Sequence, residues 1–220
     1  VGEAFFWPLI QYDKYASTQV DLAGKLGDAL ERHIQSVLEQ IFGKRNVTKI
    51  KNEEKKADFF IATKECDLII EVKTVLGPSE AMSTLAPEYV ATIWNKLYEA
   101  CIQCSSSVQQ YKKSGRPIIS IILVASHMTQ EAMPFKTFLR RSGLSKDLGI
   151  EYVEILSLGA FEETLAQTSV SAFTRSLMEK GRNQEELQVI DVMTLEPSRE
   201  EPAHNYEYFE EIDRDFLGGR

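Results

Sequence analysis

The sequence predicts an α/β chain built on a mixed central sheet flanked by helices. Three observations lead there. Five short runs rich in β-branched and aromatic residues, at 47–51, 59–62, 68–73, 118–125 and 150–156, have strand length. Stretches with apolar residues at helical spacing lie before the first run and between the later ones. One run, Ile118-Ile-Ser-Ile-Ile-Leu-Val-Ala125, is apolar at nearly every position, as a strand covered on both faces must be. Strands joined by long helices favour a mixed α/β sheet over a β-sandwich.

Residues 1–17 carry Phe5, Phe6, Trp7, Tyr12 and Tyr15 without periodicity, and are expected to be a strap on the core or the end of an upstream domain. Thr18-Gln-Val-Asp21 has capping-box spacing, with Asp in place of the usual Glu or Gln. Leu22, Leu26, Leu30, Ile34, Val37, Leu38 and Ile41 then repeat at helical spacing, and Gly43 supplies the stop. Glu31 lies on the border of that apolar stripe. Val47-Thr-Lys-Ile-Lys51 reads as the first strand. Pro87 opens a long helix whose buried face is Val90, Trp94, Leu97, Tyr98, Cys101, Cys104, Val108 and Tyr111, ending at Lys112-Lys113-Ser114-Gly115. Residues 79–86 before it are expected to form a mobile loop. Thr129 is a plausible N-cap for a helix running to about Arg141, with Gly143 as its stop, although Pro134 disturbs its first turns. Ala160–Leu165 begins another helix, and Ser169–Lys180 is expected to be helical and to end at Gly181. The expected division is a strap at 1–17, a core domain at 18–165, and a helical and acidic extension at 166–220, with 196–203 linker-like.

At 220 residues and 43% hydrophobic content the chain can bury one sizeable core. No apolar run approaches the roughly 20 residues of a membrane span, and the N-terminus lacks the pattern of a signal peptide. Val1 in place of Met leads to the expectation of a piece taken from a longer protein. Three cysteines imply no disulfide framework, which fits a reducing cytoplasm. Cys101 and Cys104 sit mid-helix with no second pair or nearby His, and are expected to be core residues, not a zinc site.

The net charge of −8 argues against a protein that coats DNA nonspecifically. Its distribution is uneven: residues 1–150 hold 19 Lys/Arg against 17 Asp/Glu, and the remainder holds 6 against 16. The acidity belongs to the tail. The densest basic stretch includes Lys44, Arg45, Lys49 and Lys51, and reads either as a phosphate track or as a solvated loop. Lys112, Lys113 and Arg116 form a second group. His33, His127 and His204 are dispersed, and the chain contains neither a Gly-rich phosphate loop nor a Gly-x-Ser-x-Gly elbow.

The chemistry concentrates in Asp58–Lys73. Two apolar runs, Phe59–Ala62 and Leu68–Ile70, flank the polar Thr63-Lys64-Glu65-Cys66, the pattern of a hairpin. With the turn centred between Lys64 and Glu65, Asp58 falls opposite Glu71. Period-two alternation puts Glu71 and Lys73 on one face, and Asp58 joins them across the ladder. Two carboxylates and one amine converge at the open end of an apolar hairpin. Facing carboxylates in a sheet call for a cation between them, and a hard divalent ion suits oxygen donors.

Ala57-Asp58-Phe59-Phe60-Ile61 and Glu71-Val72-Lys73-Thr74 resemble the PD-(D/E)xK nuclease superfamily, the restriction-endonuclease-like fold. Ala57 replaces the proline of the motif. The predicted order of helix, strand, hairpin, helix and strand is similar to that family's αβββαβ core. The resemblance implies a Mg²⁺- or Mn²⁺-dependent nuclease, endonucleolytic on DNA, with RNA left open. It implies Asp58, Glu71 and the Val72 carbonyl as metal ligands, Lys73 as the residue that positions water and offsets phosphate charge, and Glu31 as a further acid. Glu31 could equally be a rim residue in an ion pair. A glutamine on the long helix is expected near the site, and spacing does not choose among Gln103, Gln109 and Gln110. Lys44, Arg45, Lys49, Lys51, Lys112, Lys113 and Arg116 are the expected nucleic-acid contacts. A homodimer, or a place in a larger protein or complex, would suit cleavage of both strands. The alternative is a catalytically inactive nucleic-acid- or protein-binding module that retains the fold.

Overall fold

A computed structural model describes residues 22–50, 56–73, 87–112, 115–125, 135–139, 141–149 and 152–183. The strap, the capping box at Thr18, the loop at 79–86, Thr129, Pro134, Lys51, Lys113 and the acidic tail lie outside these residues.

Helix α1 (Leu22–Phe42) precedes β1 (Val47–Lys49), β2 (Phe59–Ala62) and β3 (Asp67–Lys73). Helix α2 (Pro87–Tyr111) leads to β4 (Ile118–Val124), and the one-turn α3 (Leu144–Asp147) to β5 (Val153–Ser157). Helices α4 (Leu158–Gln167) and α5 (Val170–Asn183) follow β5, and residues 135–139 and 141, within the stretch expected to be helical up to about Arg141, are helical too. The first six long elements follow the anticipated αβββαβ order, and the fold is a mixed α/β sheet flanked by helices.

The five strands lie in sequence order, β1-β2-β3-β4-β5. The β1–β2 and β2–β3 pairs are antiparallel, and β3–β4 and β4–β5 are parallel. β3 and β4 are covered by helices on both faces, which accounts for their nearly continuous apolar character. On one face, Ile34, Leu38 and Phe42 of α1, Phe161 and Leu165 of α4, and Phe173 and Leu177 of α5 pack on Phe59, Ile61, Leu68 and Ile70. On the other, Ile93, Leu97, Cys101 and Cys104 of α2, with Phe135 and Leu139, pack on Ile69, Ile122 and Ile155. Both helix cysteines are fully buried and unbonded to each other, as expected of core residues.

The hairpin has the anticipated register: Phe59 opposes Ile70, Phe60 Ile69, Ile61 Leu68 and Ala62 Asp67. Thr63 closes the four-residue loop, its amide and hydroxyl both donating to the Cys66 carbonyl. Arg116 braces that end, donating to the Thr63 carbonyl and pairing at 2.8 Å with the fully buried Asp67. Gly43, left-handed at φ 84°, ends α1 as expected. Gly181 does not end α5, which runs on to Asn183. A Cβ at Gly181 would meet the Tyr152 ring at 3.2 Å, so the glycine serves a close helix–strand approach.

Candidate active site

Asp58, Glu71 and Lys73 meet at the open end of the hairpin. The Asp58 amide donates to the Ile70 carbonyl, which extends the ladder one residue past Phe59 and sets Asp58 beside Glu71. The Asp58 carboxylate then takes the place of a main-chain acceptor, its Oδ2 receiving the Val72 amide at 2.8 Å. The side chain is thereby fixed in the cleft where the two strands separate. Glu71 is only 2% exposed, and Lys73 Nζ lies 2.7 Å from its Oε1.

Gln103 is the glutamine that α2 brings to this centre. Lys73 Nζ donates to Gln103 Oε1 at 2.6 Å, while Gln103 Nε2 donates to the Lys56 carbonyl at 3.3 Å. One helical turn on, the buried Ser107 hydroxyl accepts the Ala57 amide at 2.9 Å. Gln103 and Ser107 thus hold the chain entering β2 and, through Gln103, the amine of Lys73. Their i, i+4 spacing on α2 is the signal that could have paired them. Gln109 and Gln110 are exposed.

The electrostatics are those of a centre short of positive charge. Burial raises the Glu71 carboxyl to about 8, and the nearby Asp58 adds to the effect against the lowering influence of Lys73. Burial also raises Asp58, offset by the Val72 amide and reinforced by Glu31. Glu71 Oε2 is buried and finds no hydrogen-bond donor among the described residues. Ionised, this carboxyl would face the Asp58 carboxylate without a donor between them; a proton shared with Asp58, or a metal ion, relieves that contact.

Glu31 approaches from α1, close enough to act on Asp58, but its own Oε1 is held by Lys49 Nζ at 2.9 Å. Among the described residues no three His, Cys, Asp and Glu side chains gather as one ligand cluster. Two carboxylates with an adjacent main-chain carbonyl at Val72 form a sparse set of hard oxygen donors. Such a set suits Mg²⁺ or Mn²⁺, since Mg²⁺ retains several waters and needs only one or two protein carboxylates. The buried Glu71 carboxyl beside Asp58 fits that ion.

The expected nucleic-acid contacts divide between the two ends of the sheet. Lys49 is on the strand level with Phe59, near the carboxylates. Lys44 and Arg45 lie exposed in the turn before β1, where the Asn46 carbonyl accepts the Ala62 amide, level with the hairpin loop. Lys112 is exposed, and Arg116 is engaged with Thr63 and Asp67 at that same end.

No protein-family model and no curated protein matches the chain. Among solved structures, the small subunit R.BspD6I2 of the heterodimeric restriction endonuclease R.BspD6I superposes with a TM-score of 0.45 at 14% identity, covering 80% of this chain and 89% of that one. At that level of likeness the site has to be read from its own residues.

Proposed function

We propose that this chain is a divalent-metal-dependent nuclease that hydrolyses phosphodiester bonds endonucleolytically, with DNA as its substrate. The observation that carries the reading is the convergence of Asp58, Glu71 and Lys73, with the Glu71 carboxyl buried between the other two. Asp58 and Glu71, with the Val72 carbonyl, would hold one Mg²⁺ or Mn²⁺. When bound, that ion supplies Lewis-acid polarisation of the scissile phosphate and a lowered pKa for a coordinated water. The Lys73 amine, held between Glu71 Oε1 and Gln103 Oε1, is set to orient the attacking water and to offset charge on the phosphate as it becomes five-coordinate. Gln103 acts through Lys73: tied to the Lys56 carbonyl, it limits the amine to a narrow arc and reduces the ordering left to the reaction. The Val72 amide keeps Asp58 aimed at the centre, so the ligand is in place before the ion arrives.

The test is a cleavage assay on supercoiled, linear, branched and single-stranded DNA, and on RNA, with Mg²⁺, Mn²⁺ or EDTA. Cleavage that requires the metal is expected on at least one DNA form. Lys73→Ala should lower it by 10³-fold or more, on the order of 4 kcal/mol of transition-state stabilisation, while circular dichroism stays unchanged. Undiminished metal-dependent cleavage by that variant would sink the assignment.

A further inference from the structure

We infer that Lys49 is a built-in cation that occupies the place of a second divalent ion at Glu31, so that the centre takes up one ion per chain and not two. The inference rests on the nuclease reading above and deepens it.

Asp58 and Glu71 are the proposed metal-binding pair, and Glu31 is a third acid within electrostatic reach of Asp58 that does not gather with them as one ligand cluster; a further carboxylate beside such a pair is a means of adding a second ion. Here that carboxylate is already engaged. Lys49 Nζ sits 2.9 Å from Glu31 Oε1, with Glu31 20% and Lys49 41% exposed at their side chains. Both groups act on Asp58 in opposite senses, so the pair stands within electrostatic reach of that proposed ligand. Lys49 is not a passing loop residue. Its backbone pairs with Phe59, and the next residue, Ile50, donates its amide to the Asp58 carbonyl at 2.8 Å. The ammonium is therefore delivered by a strand bonded to the ligand-bearing segment.

The charge count points the same way. Three carboxylates and the ammoniums of Lys49 and Lys73 leave one negative charge when all are ionised. One divalent ion turns this to one positive charge, which a single phosphodiester neutralises. A second ion would bring two more positive charges next to an ammonium on the very oxygen it needs.

Calorimetric titration of the full chain with Mn²⁺ alone tests this. Wild type should take up one ion, in a manner abolished by Asp58→Asn. Lys49→Met should take up two, the added site at least tenfold tighter than any second uptake by wild type. Lys49→Gln, which keeps a hydrogen-bonding end without charge, should behave alike and guards against a folding defect in the first variant. Lys49→Arg should return the count to one, as should Glu31→Gln added to Lys49→Met. Two ions in wild type, or one ion in both uncharged variants, would overturn the inference while leaving the nuclease reading in place. Mn²⁺ uptake that is absent, or indifferent to Asp58→Asn, would overturn both.

Discussion

Glu71 concentrates the energetic cost of the site in one side chain. Its carboxyl titrates near 4.5 when unfolded and at about 8 in the folded chain, chiefly because burial disfavours the charge. Between those values the native state keeps a proton that the unfolded state has released. Stability of the metal-free protein must therefore fall as pH rises through this window, with the loss complete above about 8. Glu71→Gln removes the ionisable group and should raise stability at pH 8.5 by on the order of 2–4 kcal/mol, with little gain near pH 4, while ending metal uptake. Urea unfolding at the two pH values checks it, and equal midpoints for the variant and wild type at pH 8.5 would contradict it. If the proposed ion binds at Glu71 it has to displace the same proton, so Mn²⁺ affinity should tighten as pH approaches 8. The identities of Asp58, Glu71 and Lys73 were readable because period two and a turn centre determine who faces whom. Gln103 was not, since choosing among three helical glutamines requires the distance from α2 to β3. The Glu31–Lys49 pair depended likewise on where the first strand docks, which local pattern does not encode.

At the scale of elements, the hairpin is the part the chain specifies best. The polar tetrapeptide between two apolar runs sets the register through the turn centre, so that Phe59, Ile61, Leu68 and Ile70 meet on the α1 side of the sheet and Phe60 and Ile69 on the α2 side. Arg116 secures the loop end from β4's entrance, pairing with the buried Asp67 and the Thr63 carbonyl. Arg116→Ala leaves a buried carboxylate without that guanidinium, and with Arg116 itself exposed the expected loss is at the low end for a buried pair, about 3 kcal/mol. Urea unfolding at pH 7 measures it. Asp67→Asn in the Arg116→Ala background should recover part of that loss, because it removes the buried charge that the guanidinium had balanced; no recovery would argue that the pair is unimportant. Helix α5 shows where element-level reading fails. Gly181 looks like a stop by residue type, yet it lies inside the helix against the Tyr152 ring. A glycine required by a neighbour's proximity and one required by a left-handed turn are indistinguishable in a single sequence.

Over the whole molecule, the sheet has two ends with different chemistry. The proposed catalytic groups stand at the C-terminal end of β3, with Lys49 close by. Lys44, Arg45, Lys112 and Arg116 stand at the other, level with the hairpin loop and Asp67. From Asp67 to Glu71 is four residues of strand, about 13 Å, and the two ends face in opposite directions. A duplex seated for cleavage against Glu71 and Lys73 would leave the loop-end cations behind the sheet. Clusters of Lys and Arg in the sequence suggest a phosphate track, but topology sends their members to separate places. The prediction is that a Lys44→Ala, Arg45→Ala, Lys112→Ala triple variant cleaves DNA with a rate and salt dependence close to those of wild type. If all three contacted phosphates, the slope of log binding constant against log salt would fall by about 2.7; a fall of less than about 1 is expected. Binding titrations of a duplex in Ca²⁺, between about 50 and 200 mM salt, give that slope directly. A loss near the larger value would place the nucleic acid across the loop end, and require the substrate to run along the sheet and reach the carboxylates from behind.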